Sequence, residues 1–196
     1  ALEKNGYSVV GFHATGMGDR AMEGMISEGL FSGVVDLAPG AVAEHLYGFT
    51  RDAGPARLES AGRIGIPQII STCGVNHITP RKSKYTREFD LRRKHDIDRF
   101  RTWLRMSPRE LKEVAVLFAD KLNRSRGPVR VVIPLRGWSS VDAPGHTTYD
   151  PEEDRLFIVE LRRTLRKDIE IVEVDANMED PEFANAIIKS ALDLFQ

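Results

Sequence analysis

The sequence predicts an α/β domain, a mostly parallel sheet covered by helices on both faces. Three observations predict it. Short apolar runs of strand length alternate with longer stretches at helical spacing along most of the 196 residues. The strand-like runs are apolar almost throughout, as strands buried on both faces must be. Helix starts are also announced, at Ser107-Pro108-Arg109-Glu110, Asp150-Pro151-Glu152-Glu153 and Asp180-Pro181-Glu182. In each, the first residue can cap and the proline is preset for the first turn.

Taken in order, residues 6–12 (Gly6-Tyr7-Ser8-Val9-Val10-Gly11-Phe12) predict a first strand, broken by Gly16 to Gly18. Met22, Met25 and Ile26 recur at helical spacing, and Gly29 closes that helix. Residues 33–37 predict a second strand. Short helices follow at 41–46 and at 55–64, the latter with Leu58 and Ala61 inward. Residues 65–71 predict a third strand with Pro67 near its start, where a missing N–H is tolerated. A capped helix runs from Ser107 to about Arg126 and stops at Gly127-Pro128. Residues 129–135 form the fourth strand, 150–167 a helix and 169–174 the fifth strand. The last helix places Phe183, Ile187, Ala191 and Leu194 on one face. Right-handed crossovers then restrict the layout to a doubly wound, Rossmann-like sheet of about five strands in a single domain, 1–196.

The stretch 76–106, after the third strand, is a basic insertion. It holds Arg81, Lys82, Lys84, Arg87, Arg92, Arg93, Lys94, Arg99, Arg101 and Arg105 against four acids. Most of it reads as a solvated charged face, with a subset free to clamp a phosphate or seat a partner subunit.

Composition excludes several classes. Apolar residues make up 41%, charged residues 29%, and the formal charge is -1, which rules out a disordered or fibrous chain. A nonspecific nucleic-acid coat or a polybasic membrane binder would be far more lopsided. No apolar run reaches about 18 residues and no basic-then-apolar leader is present, so no membrane span or secretion signal is expected. A single cysteine, Cys73, permits no internal disulfide, and a cytoplasmic setting fits. The first residue is Ala, not Met, as in a processed product or a piece of a longer chain.

In an open parallel sheet, ligands lie beyond the carboxyl ends of the strands. The sequence places glycines, hydroxyls and short polar side chains there. Gly16-x-Gly18-x-x-Ala21 matches the glycine-to-alanine form of a dinucleotide fingerprint. Amides of Thr15, Gly16, Met17 and Gly18 would hold phosphate at the start of the following helix. Asp36 lies about 20 residues on, where a ribose-binding acid belongs. Ser71 and Ser139 would donate hydroxyls beside Gly74 and Gly137, and Asn177 or Asp142 would orient the ligand or a magnesium ion. The same residues also read as a plain glycine-rich turn, with Asp19 as a helix-start charge that would repel phosphate. No Gly-Lys-Ser/Thr loop occurs.

Two other classes remain open. One is a hydrolase or lyase for a small carboxylate, using Asp142, His146 and Cys73. The other is an interaction module whose contact surface is the basic insertion. Cys73 reads more simply as a small packed side chain. His13, His77, His95 and His146 match no zinc spacing, so no metal site is expected. His45 reads as a surface residue, Trp103 and Trp138 as packing residues, and Met17, Met22 and Met25 as core.

Several segments together resemble one family. They are Gly11-x-His13-Ala14-x-Gly16-x-Gly18-x-x-Ala21-Met22-Glu23, Ala53-Gly54-Pro55-x-Arg57-Leu58-Glu59, Gly65-Ile66-Pro67-Gln68, Pro134-Leu135-x-Gly137-x-Ser139-x-x-Asp142-Ala143-Pro144-Gly145, Asp150-Pro151-Glu152-x-Asp154 and Asp175-Ala176-Asn177-x-x-Asp180-Pro181. The chain resembles the carboxyl-terminal half of the Tm-one-like ATP-binding family, named for the tomato mosaic virus resistance protein and long uncharacterised. Gly74-Val75-Asn76-His77-Ile78 departs from that family's Asp-Met-Val-Asn-Phe-like stretch. The resemblance implies a two-lobed protein, both lobes Rossmann-like, of which this chain is the second. It implies ATP or a related nucleotide as ligand, with or without magnesium. The expected partners are the amino-terminal lobe and a second copy in a homodimer, with no membrane and no specific nucleic acid.

Overall fold

The computed structural model describes residues 2–195. In chain order the elements are α1 (Met17–Ser27), β1 (Val34–Asp36), α2 (Ala41–Tyr47), α3 (Ser60–Ile64), β2 (Gln68–Ser71), β3 (His77–Ile78), α4 (Arg87–Leu91), β4 (Lys94–Asp96), β5 (Thr102–Arg105), α5 (Pro108–Asn123), β6 (Val129–Pro134), α6 (Pro151–Thr164), β7 (Glu170–Val174) and α7 (Pro181–Leu194). The main sheet is parallel, with strand order β1-β2-β6-β7. Alternation along the strands sorts their side chains to two cores. Ile69 and Val132 face α7, where Phe183, Ile187 and Ala191 meet them. Ile70, Val131 and Ile133 face the opposite side, against Leu111, Phe118 and Leu122 of α5 and Phe157 and Leu161 of α6. Helices therefore cover both faces, as the apolar runs predict.

The helix starts follow their local chemistry. Ser107 and Glu110 cap α5 reciprocally, and Asp150 accepts the Glu153 amide at the start of α6. The stop at Gly127 is steric: a Cβ there would lie 2.5 Å from the Gly65 carbonyl oxygen.

Four expectations need correction. The sheet has four strands among the described residues, because residues 6–12 make no ladder. Their ends are held elsewhere, Tyr7 by ring contact with Phe195 at 6.2 Å and Phe12 by Phe31 at 5.9 Å, leaving Val9 and Val10 exposed. Strand order follows chain order, so the reversal that gives a doubly wound sheet its ligand crevice does not occur among these strands. The helix expected over 55–64 forms only at α3, because Leu58 takes a left-handed backbone with φ 68°. The insertion is not merely a solvated face. β3, β5 and β4 pair as a small antiparallel sheet, with His77 opposite Arg105 and Lys94 opposite Leu104.

Candidate functional site

The loop predicted to cradle phosphate is partly closed by its own neighbours. Gly16 has φ 82°, and a Cβ there would lie 2.9 Å from the Arg51 backbone, so only glycine fits. The Gly16 amide donates to Asp19 Oδ2 at 2.8 Å, and the Thr15 amide donates to the His13 carbonyl at 2.9 Å. Those two amides are spent. The Met17 and Gly18 amides, one step further into the first turn of α1, are bonded to nothing among the described residues. Met17 is 82% exposed, against the expectation of a core side chain.

Asp36 is also spent. Arg57 is fully buried and forks onto both oxygens of Asp36, one at 2.9 Å. The same guanidinium reaches Asp19 Oδ1 at 2.9 Å and Glu23 Oε1 at 3.5 Å. Glu23 in turn accepts the amides of Leu58 and Ser60 at 2.7 and 3.1 Å. Burial opposes the charge on Arg57, and the attraction of Asp36, Asp19 and Glu23 outweighs it, holding the guanidinium charged. Asp36 thus ties β1 to the 53–60 segment instead of meeting a ribose. Asp19 is turned inward onto Arg57, which it shares with Glu23 and Asp36, so the cluster behind the start of α1 keeps two carboxylates in excess.

The loops at the strand ends do converge. Gly16 packs on Arg51, Gly40 lies beside Arg51 and Gly74, and the Gly74 amide donates to the Trp138 carbonyl at 2.8 Å. Gly137, with φ 119°, has no room for a side chain: a Cβ would lie 1.7 Å from the Asp142 carbonyl oxygen. Asn177 Nδ2 donates to the carbonyls of Arg136 and Asp142 at 3.1 and 3.0 Å. The Ser71 hydroxyl donates to Leu37 and accepts from the Cys73 amide. Asp142 is fully buried, accepting from the Trp138 amide at 2.8 Å and Asn76 Nδ2 at 2.7 Å, with Arg105 Nη1 at 3.5 Å. Of the residues expected to orient a ligand, Asp142, Asn177 and Ser71 therefore hold the loops to one another.

Behind this rim lies a second buried charge cluster, which sequence reasoning did not assemble. Arg105 donates to Asp154 Oδ1 at 2.5 Å, to Glu153 at 3.1 Å and to the carbonyls of Thr148 and Asp150. Asn76 Nδ2 bridges Asp142 and Asp154, at 2.7 and 2.9 Å. Burial, reinforced by Asp142 and opposed by Arg105, pushes the Asp154 carboxyl up to about 7. Burial, aided by Arg105 and Arg51, pushes the His77 imidazole down to about 3. Thr72 Oγ1, Asn76 Oδ1, both His77 ring nitrogens, Ser139 Oγ and Asp154 Oδ2 are buried with no hydrogen-bond partner. Among the described residues the only other such atom is the Tyr85 hydroxyl. Buried polar atoms are rarely orphaned, so their gathering at the ends of β2 and β6 marks that edge. The signal in sequence was the run Pro134 to Asp154, rich in polar residues after a buried strand.

The catalytic trio weighed from sequence does not assemble. Cys73 packs in the core under α7, and burial pushes its thiol up to about 12, against the thiolate a nucleophile needs. His146 is exposed and sits by His95, with ring centroids 6.3 Å apart. Trp138 is buried and packs on Phe157, as expected of a packing residue. Among the described residues no group of three or more His, Cys, Asp or Glu could hold a metal ion, and no helix is long and apolar enough to cross a membrane.

The insertion's arginines are largely matched at home. Arg92 pairs with Glu88 and with Glu110 at 2.6 Å, and Arg93 pairs with Asp150 and Glu153 at 3.0 and 2.6 Å.

These features define a class: an α/β domain with a four-stranded parallel sheet, a small antiparallel sheet after β2, and a polar rim at the strand ends. The chain belongs to the uncharacterised protein family UPF0261, whose C-terminal domain model matches residues 1–195. A UPF0261 protein of Clostridium tetani is 36% identical over 198 residues, covering all of this chain and 49% of the relative. A UPF0261 protein of Brucella melitensis is 37% identical over 185 residues, 94% of this chain and 44% of the relative. The ToMV resistance protein Tm-1 of Solanum lycopersicum is 32% identical over 196 residues, 98% of this chain and 26% of the relative. The chain thus spans half or less of the length of these relatives.

Proposed function

We propose that this domain binds a small phosphorylated molecule of nucleotide type along the C-terminal edge of its sheet. The observation that carries the reading is the set of orphaned buried polar atoms at that edge. Thr72 and Ser139 supply hydroxyls, and the Asn76 carbonyl oxygen accepts from the ligand. Phosphate lies at the Met17 and Gly18 amides, where α1 presents free N–H groups and Asp19 is turned inward onto Arg57. Asp154, whose Oδ2 is unpartnered, replaces Asp142 as the carboxylate available to a ligand hydroxyl or a magnesium ion. An ATP-like ligand follows from the family resemblance. The other half of the two-lobed protein, a second copy of this chain and a cytoplasmic setting are its proposed context.

Calorimetry with ATP, ADP, NAD and inorganic phosphate tests the reading. Heat is expected with at least one of them, weakened by Ser139→Ala and Thr72→Val. No heat with any of the four, in this chain and in the full-length protein, removes the proposal.

A further inference from the structure

The motif Ala53-Gly54-Pro55-x-Arg57-Leu58-Glu59 has no part in the strand-end rim. It forms one wall of an open groove of about 520 Å³. The opposite wall is α1, through Arg20, Glu23, Gly24 and Ser27, with the Glu23 oxygens engaged by Arg57 and the amides of Leu58 and Ser60, and His45 of α2 stands at the rim with Asp52. His45 Nδ1 lies 2.8 Å from Asp52 Oδ1. That carboxylate also accepts the Gly54 amide at 2.6 Å, which fixes its position. Burial raises the Asp52 carboxyl, but the Gly54 amide and His45 outweigh it, and its net shift is downward. An ionised Asp52 calls for the proton on Nδ1, leaving the lone pair of Nε2 as an acceptor with no partner among the described residues. Arg20 donates through Nη2 to the Asp52 carbonyl at 2.9 Å and stands 3.8 Å from its carboxylate. Its side chain is 58% exposed, and among the described residues no other nitrogen of its guanidinium is engaged. Further along the groove, the Ser27 hydroxyl donates to Ser60 Oγ at 3.0 Å.

The wall behind this pair is unusually rigid. Leu58 is the one non-glycine residue with positive φ among the described residues. Its strained backbone is clamped by Glu23, which Arg57 holds in the buried quartet. Strain of this kind persists only where surroundings over-determine it, and it gathers at ligand sites.

We propose that this groove binds a phosphate monoanion, as inorganic phosphate or a phosphomonoester, with Arg20 pairing its charged oxygen and its O–H donating to His45 Nε2. The O–H bond stays intact and donates a hydrogen bond to the Nε2 lone pair, while Asp52 holds the ring proton on Nδ1. Phosphate is favoured over sulfate because sulfate at neutral pH has no O–H to donate to Nε2. The site shares no residue with the strand-end rim and stands whether or not that rim binds a nucleotide.

The test is a titration of the 196-residue chain with inorganic phosphate and, separately, with sulfate. It is followed through the ring nitrogen resonances of His45 by NMR. Phosphate should shift the Nε2 resonance and bind at least about tenfold more tightly than sulfate, and Arg20→Gln should weaken it about tenfold. His45→Gln should abolish the preference while leaving thermal unfolding unchanged, since His45 is a third exposed. Arg20→Lys, which keeps the charge, should restore part of the affinity lost in Arg20→Gln. A glycerol phosphate titration shows whether an ester is accepted as well as the free ion. Unmoved His45 resonances at millimolar phosphate, or equal affinity for sulfate, would overturn the proposal. So would phosphate binding unaltered in His45→Gln. Heat with ATP that survives His45→Gln belongs to the rim and leaves this test intact.

Discussion

Replacing Arg57 by methionine is the sharpest perturbation of this fold. The guanidinium is the only cation of the quartet, and its side chain is 2% exposed. It satisfies Asp36 with two nitrogens, Asp19 with Nε at 2.9 Å and Glu23 at 3.5 Å. Methionine restores much of the volume but leaves three carboxylates facing one another without a countercharge. Removing one partner of a buried ion pair costs about 3–5 kcal/mol, a large share of the roughly 5–15 kcal/mol that holds a domain together. The quartet has two carboxylates in excess, which places Arg57→Met at the upper end of that range. Urea unfolding followed by circular dichroism, extrapolated linearly, reads the loss directly. A second variant separates charge from packing. Combining Arg57→Met with Asp19→Asn, Glu23→Gln and Asp36→Asn removes every charge. It keeps oxygen acceptors for the amides of Gly16 and Ala38 and for one of the two amides, Leu58 and Ser60, that Glu23 now serves with separate oxygens. That variant should recover about half or more of the loss, since neutral replacements of a whole buried cluster are often tolerated. A loss under about 1 kcal/mol for Arg57→Met alone, with unchanged denaturant sensitivity, would refute the reasoning.

The stability of the chain should also depend on pH in two opposed ways. His77 is held neutral, with its pKa depressed to about 3, so its contribution is full above the ordinary imidazole value of about 6.5 and is lost as pH falls toward 3. His77→Gln should flatten unfolding free energy against pH in that window by up to about 1.4 kcal/mol per pH unit. Asp154 has the opposite sign: raised to about 7, it favours the folded state most below pH 3.8 and loses that contribution as pH rises to 7. Asp154→Asn should remove that decline, and slopes identical to the parent's in urea titrations at several pH values would contradict both assignments. Cys73, with its thiol pushed up to about 12 in the core, should react with a disulfide reagent only after denaturation. Rapid reaction in the native chain would show that the packing under α7 is open. Gly137→Ala should cost at least about 2 kcal/mol in thermal unfolding, because its Cβ would collide with the Asp142 carbonyl. A neutral result would mean that the loop after β6 relaxes freely.

Some of this molecule was legible because it is local. Ser107, Pro108 and Glu110 cap α5 within four residues, and the apolar runs of β2 and β6 demand burial on both faces whatever covers them. Other parts were not. Residues 6–12 have strand composition, yet a strand exists only by its ladder, and their aromatic anchors sit on Phe31 and Phe195. The small sheet of the insertion was hidden because polar residues such as Lys94, His95 and Thr102 carry much of its pairing. At the site, spacing placed Asp36 correctly at a strand end but could not show that Arg57 consumes it. The rim of Thr72, Asn76, Ser139 and Asp154 was out of reach for the same reason: being unpartnered is a property of surroundings, not of spacing.

The sequence by itself determined the alternation of elements, the parallel sheet with helices on both faces, the caps, and membership of a family whose motifs span the chain. Tertiary structure alone decided the strand order, which amides of the α1 loop remain open, and which charges neutralise one another. Periodicity and capping act over a few residues of one segment. Charge pairing and solvent exclusion depend on atoms brought together from segments far apart in the chain.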